Sequence, residues 1–215
     1  MGELIRFLAG TAPMASPDVT ADALFVYAGG QARKEHAAAA WRRGVAPVLV
    51  VSVARFEWRR YALLGLPGMD ALRAAVEKVP PRERHFFVIL ENARVTVRRV
   101  VVHRFGTRNE ARALAVLVRE RGWRRLLVVS SAFHLRRVAL ATARALQDKE
   151  RLHGTEGLQG EDAPLHGGGI EVVYATPCVG ADPHGPGRWW RTRRGLRLVF
   201  SEIGKLAIYR FFLRP

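Results

Sequence analysis

Residues 22–30 read DALFVYAGG, an apolar, β-rich run that ends in two glycines, and residues 31–43 (QARKEHAAAAWRR) follow directly. The alanine-rich segment is typical of a helix, and Gly44 stands where a helix often ends on glycine. Residues 46–53 (APVLVVSV) are a continuous apolar run of the kind that parallel sheets bury on both faces. This succession predicts a β–α–β unit.

The rest of the chain repeats the same alternation. Strands are predicted at 86–90, 95–102, 125–129 and 170–175, and helices at 69–78, 107–121, 133–147 and 189–213. The first two of these strands are expected to pair through a turn at Glu91-Asn92, and a helix is expected to start at Arg55. Strands alternating with helices predict an α/β protein, a three-layer α/β/α sandwich with a Rossmann-like, mostly parallel sheet.

Length and composition limit the classes of protein. A chain of 215 residues with 49% hydrophobic and 25% charged residues fits one globular domain over 1–215. Its motifs lie at 21–147, a flexible glycine-rich loop is expected at 148–169, and a strand and helix at 170–213. The single cysteine, Cys178, excludes an internal disulfide and a thiolate metal cluster. We expect a cytoplasmic protein without a membrane span, with contact at the periphery of the inner membrane left open.

The net charge of +16 raises the question of polyanionic partners. Only four of the 35 basic residues are lysines, and the arginines are spread over every segment. Diffuse positive charge attracts phosphate ligands, nucleic acids and anionic lipids alike. The charge alone does not select among these partners. The even spread of the arginines disfavours a nucleic acid, and the motifs described below lead us to expect an anionic small molecule. Arg188, Trp189 and Trp190 suit a membrane interface, but packing of the last helix on the sheet is the favoured alternative.

Three junctions between a strand and a helix carry the polar residues. They are Gly29-Gly30 before Arg33, Gly106-Thr107 before Asn109-Glu110, and Ser130-Ser131 before His134 and Arg137. In an open parallel sheet such junctions share one edge, where ligands bind outside the carboxyl ends of the strands. We therefore predict one pocket for an anionic ligand at this edge.

The first two junctions each allow a structural alternative. Gly29 and Gly30 let a ligand approach the backbone, and the forked guanidinium of Arg33 could bind an anion, but a plain tight turn has the same sequence. Thr107 and Glu110 have the spacing of a capping box. In the functional interpretation Thr107 and Asn109 face the pocket, and Glu110 orients a group or accepts a proton.

The third junction supplies the candidate for acid–base chemistry. His134 follows Ser130-Ser131 in the first helical turn, where the positive helix end lowers an imidazole pKa. A neutral His134 could serve as acid or base, with Glu110 as its partner and Arg137 neutralising the anion. The sequence lacks the G-x-S-x-G motif that would indicate a serine hydrolase. Its histidines also lack the close spacing that would indicate a metal site.

These motifs resemble the YdcF/SanA/ElyC family of bacterial proteins. The resemblance rests on Ala28-Gly29-Gly30 with Arg33, on Gly44 with Ala46-Pro47, on Thr107-Arg-Asn-Glu110-Ala, and on Ser130-Ser131 with His134 and Arg137. The Asn109-Glu110 order is the reverse of the family's, and residues 55–98 form a longer basic insert. The absence of an amino-terminal anchor makes the chain more similar to the soluble YdcF branch.

The resemblance implies a Rossmann-like fold and, for some members, binding of S-adenosylmethionine; other members are linked to envelope polysaccharide and lipid-carrier metabolism. Three hypotheses follow. The first is a pocket for a nucleotide-like or phosphorylated ligand, in a transferase or phosphoester hydrolase with His134 as acid or base. The second is an S-adenosylmethionine-binding module. The third is a basic accessory protein at a membrane surface or on nucleic acid.

Overall fold

A computed structural model describes residues 20–103, 106–147, 169–177 and 192–211. The strands are β1 (Ala23–Val26), β2 (Val48–Val53), β3 (Phe86–Glu91), β4 (Arg94–Arg99), β5 (Arg125–Val129) and β6 (Glu171–Ala175). The α-helices are α1 (Gln31–Arg42), α2 (Met69–Glu77), α3 (Gly106–Arg121), α4 (Ala132–Gln147) and α5 (Arg193–Phe211). Two short 3₁₀ helices span Trp58–Leu64 and Pro81–Glu83.

The six strands form one sheet in the order β4-β3-β2-β1-β5-β6. Strands β2, β1, β5 and β6 pair in parallel, whereas β3 runs antiparallel to both of its neighbours. The described part of the sheet is therefore mixed but mostly parallel. The predicted fold class is confirmed.

The side chains of β1 alternate between two hydrophobic cores. Leu24 and Val26 belong to the core under α1 and α2, while Phe25 and Tyr27 belong to the core under α3 and α4. Successive residues of a strand point to opposite faces, so a strand that is apolar throughout must be covered on both. This accounts for the three layers.

Helix α5 adds a smaller cluster outside the sheet. Val199 and Leu206 of this helix pack with Phe133 of α4. The helix begins at Arg193 rather than at residue 189, and Trp189 and Trp190 lie outside the described residues. The predicted loop 148–169 also lies outside them, apart from Gly169.

The β3–β4 hairpin was predicted, but its turn is one residue later in the chain. Glu91 pairs with Arg94 and so belongs to the ladder, which leaves Asn92 and Ala93 as the two loop residues. Both have positive φ, 44° and 63°, as a type I′ turn requires. The helix expected from Arg55 is the 3₁₀ helix that starts at Trp58.

The strand order creates a crevice next to β1. The chain passes from β1 to β2 on one side, and β5 pairs with β1 on the other side. Where consecutive strands are added on opposite sides of β1, the loops that follow them diverge beyond the carboxyl ends of the strands and leave room for a ligand. Across the described ranges, none of the helices is long and apolar enough to span a membrane.

Candidate functional site

A cavity of about 510 Å³ opens at this edge of the sheet. Its volume is in the usual range for small-molecule sites, roughly 300–1,000 Å³. Ala28 after β1 and Ala54 after β2 lie in its wall, together with Thr107 and Glu110 of α3. Five cationic side chains also line it: Arg55, Arg82, Arg84, Arg137 and Lys205. Glu110 is the one carboxylate among its described lining residues, so the cavity favours anions.

Three of these cations, Arg55, Arg82 and Arg84, come from the segment between β2 and β3. The Nε atom of Arg84 donates to the backbone carbonyls of Val76 and Val79, at 3.1 and 3.0 Å. These bonds fix the guanidinium without neutralising it. Neither Arg55 nor Arg84 has a carboxylate partner within the described ranges. No described carboxylate therefore neutralises these two cations, and both line the cavity.

Arg137 is positioned by side chains from three helices. Its Nε donates to Oε2 of Glu202 at 2.8 Å, and its Nη1 donates to the hydroxyl of Thr107. Lys205, three residues after Glu202 on α5, donates to Oε1 of the same carboxylate at 3.0 Å. The ring of Tyr209 lies 5.7 Å from the Arg137 guanidinium carbon. The buried carboxylate thus holds two of the cavity's cations in place.

The pKa of Glu202 reflects this position. Burial raises it, but the hydrogen bond and charge of His134 and the contact with Arg137 lower it by more, so the net shift is well below the usual range. The carboxylate, 2% exposed, is therefore ionised at neutral pH. It acts as the anchor of the basic cluster.

His134 lies behind the cavity wall rather than in it. Its Nδ1 is 2.9 Å from Oε2 of Glu202 and 2.9 Å from Nη2 of Arg137. An ionised carboxylate only accepts and a guanidinium only donates, so Nδ1 can form a hydrogen bond with just one of these two neighbours at a time. The pKa of His134 is lowered as predicted, but burial is the main cause, and the charges of Arg33 and Arg137 add to it.

The predicted partnership of His134 with Glu110 is wrong. Glu202 of α5 is the carboxylate at His134, whereas Oε2 of Glu110 accepts from the backbone N–H of Ala28 at 3.0 Å. That bond ties the first turn of α3 to the end of β1. Glu110 therefore does not form the capping-box contact with Thr107 that its spacing also allowed.

His85 is a cavity residue that the sequence did not single out. It stands just before β3, and because β3 is reversed, this amino-terminal end lies at the carboxyl edge of β2. Its Nε2 is 2.9 Å from the hydroxyl of Ser52 and 3.8 Å from Oε1 of Glu110. Burial lowers its pKa, although the charge of Glu110 opposes the shift.

These three groups do not form a catalytic triad. The serine and the carboxylate both approach the same nitrogen of His85, whereas a triad needs them on opposite nitrogens. Ser52 is also completely buried within β2. His85 and Glu110 line the cavity, whereas Ser52 does not, so the arrangement has no accessible hydroxyl nucleophile.

Arg33 and Ser130 are turned toward each other rather than toward the cavity. The Nη1 of Arg33 is 3.4 Å from the hydroxyl of Ser130, and both side chains are buried. The guanidinium packs onto Gly29, whose φ is 136°. Neither Arg33 nor Ser130 lines the cavity, which corrects their predicted direct contact with a ligand.

The remaining predicted residues lie near this edge without lining the cavity. Gly30 caps the start of α1 without a side-chain hydrogen bond, and the carbonyl of Ser131 accepts from the backbone N–H of His134 at 2.9 Å. Asn109 is half-buried in the first turn of α3. Of the predicted set, the structure brings Thr107, Glu110 and Arg137 together around the cavity.

Sequence reasoning missed the contribution of α5 entirely. The apolar positions of this helix predict packing on the sheet and do not distinguish Glu202, Lys205 or Tyr209 as site residues. The spacing could have revealed them, since residues three and seven apart lie on one helical face. A glutamate and a lysine interrupting an apolar helix were the available signal.

Among the described residues, no group of three potential ligands is arranged to hold a metal ion. No protein-family model, curated protein or solved structure matches this chain. The cavity is therefore the feature of this protein that indicates a function.

Proposed function

We propose that this protein binds an anionic small ligand, phosphorylated or nucleotide-like, in the cavity at the carboxyl edge of its sheet. The observation that carries the proposal is the lining of the cavity. Five cationic side chains from three parts of the chain face one space whose described lining includes a single carboxylate. Cations gathered in a concave site attract anions more strongly than the same charges spread over a surface.

The arginines support a phosphate group in particular. A guanidinium offers parallel N–H donors that match two oxygens of a phosphate. The guanidinium of Arg84 is fixed by two backbone carbonyls, and Arg137 by Glu202 and Thr107. Donors that are already held in place lose less conformational entropy when the ligand binds.

Of the two imidazoles near the cavity, His85 is the candidate for proton transfer on such a ligand. His85 lies in the cavity wall, and His134 contacts Arg137 from behind it. Burial lowers the pKa of both, which keeps them neutral near pH 7. A neutral imidazole can accept a proton, as the general base of a transferase or a phosphoester hydrolase does.

We also propose, from the motifs alone, that the chain is related to the YdcF/SanA/ElyC proteins, with a role in cell-envelope metabolism. Hydrogen bonds between motif residues are consistent with this: Arg33 with Ser130, and Arg137 with Thr107. S-adenosylmethionine carries a sulfonium and no phosphate, so the cationic lining favours a phosphorylated ligand over it. Location in the cytoplasm, and contact with the inner membrane, are part of the same proposal.

Calorimetric titration of the purified protein with pyrophosphate tests the proposal. We expect saturable binding that Arg84→Gln weakens about tenfold or more, since a charge-assisted hydrogen bond contributes about 1.5–3 kcal/mol. Arg73→Gln is the matched control, because Arg73 is exposed on α2 and does not line this cavity. Equal affinities for the two variants, or tighter binding of S-adenosylmethionine than of pyrophosphate, would contradict it.

A further inference from the structure

A second cavity, of about 360 Å³, adjoins the first. Arg55 and Arg84 line both cavities, so the two spaces share a wall of guanidinium groups. The first cavity carries the charge just described. The second has a different chemical character.

Aromatic rings give the second cavity its character. Phe56 and Trp58 line it together with Pro81. The Arg55 guanidinium lies 4.7 Å from the centroid of the Phe56 ring, and that of Arg59 lies 5.3 Å from the Trp58 ring. Phe56 is 77% exposed, so its ring surface is available to a ligand.

Resting on the proposed function, we infer that the ligand is a nucleotide whose base occupies this second cavity. Its phosphates lie in the first cavity, near Arg84, Arg137 and Lys205. Nucleobases are bound by stacking on aromatic faces and on guanidinium planes, and this cavity offers both. Arg55 and Arg84, on the boundary, are in position to contact the phosphate nearest the nucleoside.

The position of the aromatic cavity next to the cationic one favours a nucleotide over a simple phosphorylated compound. A small phosphorylated compound would use only the cationic cavity and leave the aromatic one empty. A ligand with a planar base at one end and phosphates at the other contacts both. An anionic membrane is the other partner that arginines and exposed rings attract. The rings here line a concave space that shares Arg55 and Arg84 with the phosphate cavity, which favours the nucleotide.

The test compares ADP with pyrophosphate, which differ by the nucleoside. We expect wild-type protein to bind ADP about tenfold more tightly than pyrophosphate. Phe56→Ala should remove most of this difference and leave the pyrophosphate affinity unchanged. Leu63→Ala is the matched control, because Leu63 is 72% exposed in the neighbouring 3₁₀ helix and lines neither cavity.

Trp58 provides a second readout that does not depend on a destabilising change. ADP, but not pyrophosphate, should alter the fluorescence of the wild-type protein. Trp58→Phe keeps an aromatic ring and should abolish that change while ADP still binds. A fluorescence response that persists in Trp58→Phe would place the base elsewhere and overturn the inference.

The outcomes separate the two proposals. If pyrophosphate binds through Arg84 but ADP binds no more tightly, or Phe56→Ala leaves ADP affinity intact, the nucleotide inference fails and the anion site stands. If neither ligand binds, the proposed function fails as well. If Phe56→Ala abolishes binding to phosphatidylglycerol vesicles without affecting ADP, the aromatic face contacts a membrane and the inference is overturned.

Discussion

The guanidinium of Arg33 occupies the space in which any residue other than glycine at position 29 would carry its side chain. A Cβ added to Gly29 would lie 1.4 Å from Nη2 of Arg33. Gly29 also has a φ of 136°, which L side chains rarely adopt. The glycine that closes β1 is thus required by a buried arginine and by its own backbone.

We expect Gly29→Ala to lower the free energy of unfolding by about 2–3 kcal/mol, because backbone strain adds to the displacement of Arg33. Chemical denaturation measures this loss. The double variant Gly29→Ala/Arg33→Ala should recover part of it, since the clash is removed and the strain remains.

Gly30→Ala is the matched control for this prediction. Nothing lies within 4 Å of a Cβ added at Gly30, and its φ is −54°. Its stability should stay within about 0.5 kcal/mol of wild type. Equal losses for the two alanine variants would show that the arginine and the unusual φ at position 29 do not matter.

Glu202→Gln should destabilise the protein at neutral pH by about 3 kcal/mol, because it leaves Arg137 without its buried counterion. The effect should depend on pH in a defined direction. The pKa of Glu202 is lowered in the folded state from an ordinary value of 4.5. Its stabilisation is therefore complete above about pH 4.5 and is lost as the pH falls toward the folded-state pKa.

Denaturation of both proteins from pH 7 to pH 3 measures this dependence. The wild type should lose stability more steeply than Glu202→Gln below pH 4.5, so that the two curves converge. Glu35→Gln, at an exposed position on α1, should run parallel to wild type. A constant gap between wild type and Glu202→Gln down to pH 3 would argue against the buried ion pair.

His85 should titrate below its ordinary pKa of 6.5, since burial disfavours the imidazolium. NMR titration of the imidazole signals measures the shift. Glu110→Gln should lower the pKa of His85 further, because the charge of Glu110 opposes the effect of burial. An unchanged or raised pKa of His85 in that variant would show that the charge of Glu110 does not raise it.

His85 also makes the free energy of unfolding depend on pH, and the direction is the same as for Glu202: stability is lost as the pH falls. Below pH 6.5 the unfolded chain takes up the proton first, so stability falls as the pH drops toward the folded-state pKa of His85. Above pH 6.5 the residue contributes no pH dependence. His85→Gln should flatten the stability curve in that window, and an unchanged slope would exclude His85 as its source.

The four central strands β1, β2, β3 and β5 could be predicted from sequence because they are apolar runs that the sheet buries on two faces, as in Val48–Val53. Thr107, Glu110 and Arg137 could be predicted as neighbours for a similar reason, since parallel strands place their following helices at one edge. That rule uses only the order of elements. It needs no knowledge of individual rotamers.

The misplaced residues depended on information that local sequence does not contain. The side chain of Arg33 turns toward Ser130 instead of the cavity, and no pattern in residues 29–33 specifies that rotamer. His85 reaches the site because β3 is reversed, and a hairpin pattern does not reveal which of its ends lies at the edge. Glu202 joins the site through packing between helices far apart in sequence.

The reversal of β3 has a consequence for how this architecture can vary. The chain leaves the sheet at Val53 and returns at Phe86, and these two positions pair with each other in the ladder. The segment between them is therefore an excursion whose two ends are already joined, and extending such an excursion costs little closure entropy. Its outer residues, Arg55 and Phe56 among them, can be exchanged while the pairing at its base stays intact, so ligand preference can change without redesign of the scaffold.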